Sequence, residues 1–246
     1  MSRLLMTIRS SLFYAGYVTA TVIVGGFLLL FVWLFPADHR HLFYVAWCRF
    51  VLFWLRVTCG IRYDIRGLEN VPDGASVVLS NHQSEWETLF LYAVFAPVCP
   101  ILKKELLDIP LWGWALRLQR PIAIDRGKPR EAGKSMLLQG VVRIREGWSV
   151  VVFPEGTRSA NGVGQKFSRG AATLALAASA PIVPVAHNAG HCWPAHRFLK
   201  QPGVISVVIG EPVAVSGRTA SELTDQLRVW VQAQLEHTNS SAVVTS

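Results

Sequence analysis

From Ser10 to Ala37 the chain carries no charged side chain, and no other feature so limits what it can fold into. Residues 12–35 form a near-continuous apolar run, long enough as a helix to cross a hydrocarbon core about 30 Å thick. A membrane-embedded segment is expected. A cleaved signal peptide is the rival, because Arg3 and Arg9 form a basic N-region. The run is too long for such a peptide, however, and no small-x-small cleavage site follows it. After a break at Pro36-Ala37-Asp38-His39-Arg40, residues 41–58 predict a second, aromatic-rich helix. Its Arg49 and Arg56, seven apart, fall on one face, and Arg49 at mid-bilayer costs about 2.5–3.5 kcal/mol. Lying at the interface avoids that cost. The expectation for residues 1–58 is therefore a helical hairpin that anchors the protein from one side, rather than two full spans. Basic residues flank both ends of the first run, so charge bias leaves its orientation open.

The remaining length suits one ordinary domain, residues 59–237, with residues 238–246 as a flexible tail. A net charge of +8 on a chain with only 16% charged residues and nine tryptophans suits an anionic membrane surface better than nucleic acid. No basic helix stripe or RNA-binding signature is present. Cys48, Cys59, Cys99 and Cys192 show no C-x-x-C and no zinc spacing, so they read as buried thiols in a reducing compartment. Cys192 lies near His187, His191 and His196, but their irregular spacing favours a polar loop over a metal site.

Short apolar, often β-branched runs at residues 75–80, 98–102, 121–124, 149–153, 181–186 and 204–209 predict buried strands. Helices are expected between them, near 86–95, 105–118, 129–146 and 169–178, with another at 220–236 and Gly147 at a helix C-terminus. The alternation predicts an α/β fold whose largely parallel central sheet is flanked by helices.

Two stretches carry the chemistry. The first strand delivers Asn81-His82-Gln83-Ser84-Glu85-Trp86-Glu87 to a strand-to-helix turn, where α/β sheets collect functional groups. On a continuous helix His82 and Glu87 would point about 140° apart, so they meet only if His82 precedes the helix. Ser84-x-x-Glu87 matches a capping box, which places the helix start at Ser84. The same match offers a plainer role for Glu87, as a cap alone. The second stretch, Phe153-Pro154-Glu155-Gly156-Thr157-Arg158, ends another strand. Gly156 lets backbone approach a ligand, and Arg158 presents a planar fork to phosphate oxygens. Lys166 and Arg169 add positive charge downstream.

This ordered set resembles the phospholipid and glycerol acyltransferases, in particular those acting on 1-acyl-sn-glycerol-3-phosphate. Lys103-Lys104-Glu105-Leu106, leading through Pro110-Leu111-Trp112-Gly113 to Ile124-Asp125-Arg126, resembles the family's acceptor-binding segment. Pro181-Ile182-Val183-Pro184-Val185 is similar to its fourth block, and the likeness spans residues 61–211. One departure stands out: the usual carboxylate is aspartate, and here it is Glu87, whose extra methylene demands a re-spaced turn. Glu85, three residues after His82, is a competing carboxylate.

The resemblance implies transfer of a fatty acyl group from acyl-CoA or acyl-carrier protein to the sn-2 hydroxyl of lysophosphatidic acid, giving phosphatidic acid for phospholipid synthesis. His82 would be the general base and Glu87 its partner. Lys103, Lys104, Arg126, Glu155, Gly156, Thr157 and Arg158 would bind substrate, with no metal and no cofactor beyond the acyl co-substrate. Membrane lipids would be partners, and nucleic acid would not. The expected location is the cell's inner (cytoplasmic) membrane, with the catalytic domain facing the cytosol. An acyltransferase for another lysolipid, such as a lyso-ornithine lipid, or a catalytically silent lipid-binding protein, would use the same fold.

Overall fold

The computed structural model describes residues 2–110, 112–117, 119–125, 127–159 and 166–243. Its centre is a six-stranded sheet of β1 (Ile61–Arg66), β2 (Val77–Ser80), β3 (Val98–Cys99), β6 (Ser149–Val152), β7 (Ile182–His187) and β8 (Gly203–Ile209). The spatial order is β1-β8-β7-β2-β6-β3. Every pairing is parallel except β7 with β8.

Alternation along the strands explains the layering. Val78, Val151, Val183 and Val185 face one core, while Val77, Leu79, Val150, Val152 and Ile182 face another. Successive strand side chains point to opposite faces, so strands apolar at every position must be covered on both. The first core is covered by α1 (Arg3–Phe31), α2 (His41–Cys59) and α3 (Trp86–Val94). The second is covered by α5 (Pro129–Arg145), α6 (Gly170–Ala178) and α7 (Ala220–Val243).

The N-terminal hairpin forms as expected, with 3₁₀ turns at Val32–Leu34 and Ala37–His39 between its helices. Gly16 permits its close packing: a Cβ there would collide with the Trp54 indole, whose Nε1 donates to the Leu12 carbonyl at 3.2 Å. Both helices are long and apolar enough to cross a membrane by length and composition. They differ in what they cover. α1 leaves Ile8, Leu12, Ile23 and Leu30 exposed, as is Trp33 in the turn after it. α2 buries Cys48, Val51, Leu52 and Leu55 in the first core and keeps Arg49, Phe53 and Arg56 outside. Residues 1–58 and 59–237 therefore share one core.

Several local expectations change. The strand expected at 98–102 is two: Pro100 separates β3 from β4 (Ile101–Lys103), which pairs with β5 (Ile122–Ile124) in a second small sheet, because proline supplies no ladder N–H. Pro110 likewise divides the helix expected at 105–118 into a 3₁₀ turn, Lys104–Asp108, and α4 (Trp112–Arg117). The tail expected to fray from Thr238 continues α7 to Val243. Thr238 is buried there, its hydroxyl donating to the Leu235 carbonyl at 3.1 Å. β1 was not among the expected strands, although Ile61, Tyr63 and Ile65 alternate with charged residues as an edge strand requires. All four cysteines are buried and free.

Candidate active site

β2, β6 and β7 run side by side in the same direction, so their C-terminal ends share one edge of the sheet. From that edge emerge the two motif loops and His187. α3 starts at Trp86, with Glu85 at the N-cap position, rather than at Ser84 where the capping box put it, and His82 lies before the helix, which is what lets it meet Glu87. Its Nδ1 sits 2.7 Å from Glu87 Oε1. Glutamate thus spans the gap despite its additional methylene.

Glu87 also caps. The same oxygen accepts the backbone N–H groups of Ser84 at 2.8 Å and Gln83 at 3.0 Å, and Ser84 Oγ accepts from Trp86 N at 3.1 Å. The reach-back half of the expected capping box is therefore present, and the hydroxyl half serves Trp86 instead of Glu87. Burial of the Glu87 carboxylate is complete and works against its charge. His187, His82 and the backbone donors outweigh it and hold the group below the usual carboxylate range. Burial lowers His187 itself, so its contribution is an N–H dipole rather than a full charge, and the three direct donors do most of the stabilising.

His187 belongs to the site through geometry that the sequence hides. Asn81 Nδ2 donates to its carbonyl at 2.9 Å and Asn81 Oδ1 accepts its N–H at 3.0 Å. Its Nδ1 accepts the Ala189 N–H at 3.3 Å, so Nε2 carries the proton toward the Asn81 carbonyl at 2.9 Å and Glu87 Oε2 at 4.0 Å. Gly190 N donates to Gln83 Oε1 at 3.1 Å. The only advance signal was the run of amide side chains, Asn81 and Gln83, beside His82.

The second motif folds over the first. Phe153 stacks on the His82 ring with centroids 4.0 Å apart and planes 14° from parallel. Ser159 N donates to the His82 carbonyl at 2.8 Å, and His82 N approaches Glu155 Oε1 at 3.4 Å. Gly156, at φ +73°, makes the turn between them, a conformation that disfavours side chains with a Cβ. Burial pushes the Glu155 carboxyl up to about 8 against the pull of the His82 N–H, and nearby Glu87 adds to the rise. Glu155 Oε2 and Arg158 Nε are buried with no hydrogen-bond partner among the described residues. Arg158 Nη1 lies 3.4 Å from Glu85 Oε1, so Glu85 faces the arginine and Glu87 faces the histidine.

Lys103 and Lys104 stand at the end of β4, ion-paired to Glu105 at 3.5 Å and Asp125 at 2.6 Å. Thr157 is exposed. Arg126 lies outside the described residues.

Comparison with known proteins adds a likeness over nearly the whole chain. A family model described as acyltransferase matches residues 62–188. A 1-acyl-sn-glycerol-3-phosphate acyltransferase of Pseudomonas aeruginosa is 46% identical over 229 residues, covering 91% of this chain and 89% of that protein. The human 1-acyl-sn-glycerol-3-phosphate acyltransferase alpha is 35% identical over 188 residues, 73% of this chain and 66% of that one. The crystal structure of the 1-acyl-sn-glycerophosphate (LPA) acyltransferase PlsC from Thermotoga maritima superposes with a TM-score of 0.81 at 24% identity, covering 96% of this chain and 98% of that one.

Proposed function

The chain belongs to the acyltransferase family, and from that premise we propose that it acylates the sn-2 hydroxyl of 1-acyl-sn-glycerol-3-phosphate from acyl-CoA or acyl-carrier protein, yielding phosphatidic acid. The observation that carries the reading is the 2.7 Å contact between His82 Nδ1 and the buried Glu87 carboxylate. An ionised carboxylate only accepts, so Nδ1 bears the ring proton and Nε2 is left as the basic nitrogen. His82 Nε2 takes the acceptor's hydroxyl proton as that oxygen attacks the thioester carbonyl. The tetrahedral intermediate then expels thiolate, which receives the proton from the imidazolium. Glu87 holds the tautomer and stabilises the imidazolium. Thiolate leaves readily, so the reaction requires neither a protein nucleophile nor a metal.

Arg158 binds the acceptor phosphate, which takes the place of the Glu85 carboxylate. Glu155, whose burial favours the neutral acid, supports that assignment: a charged carboxylate beside the phosphate would repel it, whereas an acid O–H can donate to it. Backbone N–H groups near Gly156 and Thr157 stabilise the oxyanion. Lys103 and Lys104 form an outer basic approach for phosphate groups of acceptor or donor, and Arg126 adds its charge to substrate binding. The hairpin lies in the inner membrane with the site facing the cytosol, where a bilayer-borne acceptor meets a cytosolic donor, and Arg49 and Arg56 on the outer face of α2 suit a helix at the lipid headgroups.

The test is purified protein supplied with lysophosphatidic acid and each donor type, the product being identified by mass spectrometry. Phosphatidic acid from at least one donor is expected; none from either sinks the proposal.

A further inference from the structure

Among the buried charged groups, Lys200 takes no part in the proposed chemistry. It is only 1% exposed, yet all three ammonium protons are placed: Nζ donates to Tyr14 Oη at 2.8 Å and to the carbonyls of Arg197 and Phe198, each at 2.9 Å. It also lies 4.6 Å from the Tyr14 ring centroid and 4.7 Å from that of Trp193, an aromatic cage that favours a cation. Its backbone N–H donates to Ser10 Oγ, a fully buried hydroxyl, at 2.9 Å. Tyr14 and Ser10 belong to α1, so one residue of the catalytic domain grips the first hairpin helix through both its backbone and its side chain.

The segment that carries Lys200 leads back to the catalytic turn. Gln201 N donates to the Cys192 carbonyl at 2.8 Å, and Cys192 and Trp193 donate back to Ala189 at 3.1 and 2.9 Å, closing the segment on itself. Trp193 packs edge-on against Phe13 of α1, with centroids 5.1 Å apart. At the other end, Gly190 holds Gln83, and Asn81 clamps His187. A burial this demanding for a lysine is stable only when every donor is used, and here every partner lies on α1 or on the segment tied to the turn.

We propose that Lys200 is a positioning residue that fixes the membrane hairpin against the catalytic turn, so that an acceptor held in the bilayer reaches His82 in register. This rests on the acyl-transfer reading and adds to it a reason why the bilayer-borne acceptor needs the hairpin in one orientation. Lys200 touches no reacting atom, and an acceptor arriving from water does not depend on it.

Lys200→Met keeps the length of the side chain and removes the ammonium; Tyr14→Phe removes only the hydroxyl and keeps the ring. Each full-length variant is assayed with long-chain lysophosphatidate in vesicles and with a short-chain lysophosphatidate that is monomeric in water. Lys200→Met is expected to lower kcat/KM on vesicles by about ten- to a hundredfold, the scale of a misplaced reactant, while the monomeric acceptor stays within about twofold. Tyr14→Phe is expected to lose about two- to tenfold on vesicles only, the worth of one hydrogen bond, which reads the same effect if the methionine variant does not fold. Equal losses on both acceptors would make Lys200 merely structural, and no loss on vesicles would overturn the coupling. Wild-type protein inactive on both acceptors would instead overturn the acyl-transfer reading, and this inference with it.

Discussion

His82 Nδ1 and Glu87 Oε1 stand 2.7 Å apart across a four-residue turn, and the same carboxylate oxygen also takes the N–H groups of Gln83 and Ser84. Orientation of the His82 ring and capping of α3 are therefore one arrangement. The backbone donors fix the oxygen, and the fixed oxygen fixes the ring, with Phe153 stacked on its face.

His82→Ala is expected to lower kcat by about 10²–10⁴, the usual worth of a positioned base. The variant should stay folded but melt lower than wild type, because the buried Glu87 oxygen keeps its two backbone donors and loses the imidazole. A folded variant with wild-type turnover would remove His82 from the chemistry.

Substitutions of Glu87 separate charge from capping. Glu87→Ala strands two buried N–H groups and should cost about 2–5 kcal/mol of stability, measured by denaturant unfolding. Glu87→Gln keeps an acceptor oxygen but turns an amide donor toward His187 and removes the charge that stabilises the imidazolium. Its rate should drop by about 10–10³. Glu87→Asp, one methylene shorter than the gap this turn has set, should retain partial activity. Full activity in the Gln variant would leave Glu87 a cap and nothing more.

Arg158 and Glu85 form the second pair, 3.4 Å apart. Arg158→Ala should weaken acceptor use by about 1.5–3 kcal/mol, the worth of a charge-assisted contact, with the donor's KM unchanged. Glu85→Gln should lower the acceptor's KM, because phosphate no longer displaces a carboxylate. A change confined to the donor's KM in either variant would reverse the assignment of the two pockets.

The parallel sheet and both motif loops were legible because strands buried on both faces need unbroken apolar runs, and residues 77–79, 150–152 and 182–186 are such runs. Elements that depend on one imino acid or one distant partner were harder to read. Pro100 sends Ile101–Lys103 into a different sheet from Val98–Cys99, a choice made by tertiary pairing. The place of His187 in the site follows from Asn81, 106 residues earlier, and no local pattern encodes that distance. The shared core has a similar cause: the aromatic face of α2 reads equally well as lipid-facing or domain-facing until Val51 and Leu55 are seen against the sheet.

That shared core changes what truncation should do. Removing residues 1–58 takes Phe13, Val51 and Leu55, all fully buried, from the layer over the sheet. Burial of each such side chain is worth about 1.5–3 kcal/mol, so the remainder should aggregate or unfold rather than become a soluble enzyme. Circular dichroism and size-exclusion chromatography in detergent check this. A monomeric, cooperatively melting truncated chain would show that the hairpin is a separable anchor.

Glu155 should link pH to stability and, through the proposed phosphate contact, to activity, and the direction follows from its burial. Its folded-state pKa, about 8, lies above a carboxyl's ordinary 4.5, so the folded chain holds the proton more tightly than the unfolded one. The resulting stabilisation is fully present below pH 4.5, declines as pH rises toward 8, and is gone above it. Glu155→Gln, which cannot ionise, should therefore melt higher than wild type at pH 8.5, and the advantage should vanish near pH 5. Turnover should follow the same window. Ionised Glu155 would face the acceptor phosphate, so wild-type kcat/KM for lysophosphatidic acid should fall as pH rises through about 8, whereas the Gln variant should hold its value further into the alkaline range. Parallel melting curves for the two proteins from pH 5 to 9 would mean that Glu155 titrates as an ordinary carboxylate and that the neutral donor assigned to it beside Arg158 does not exist.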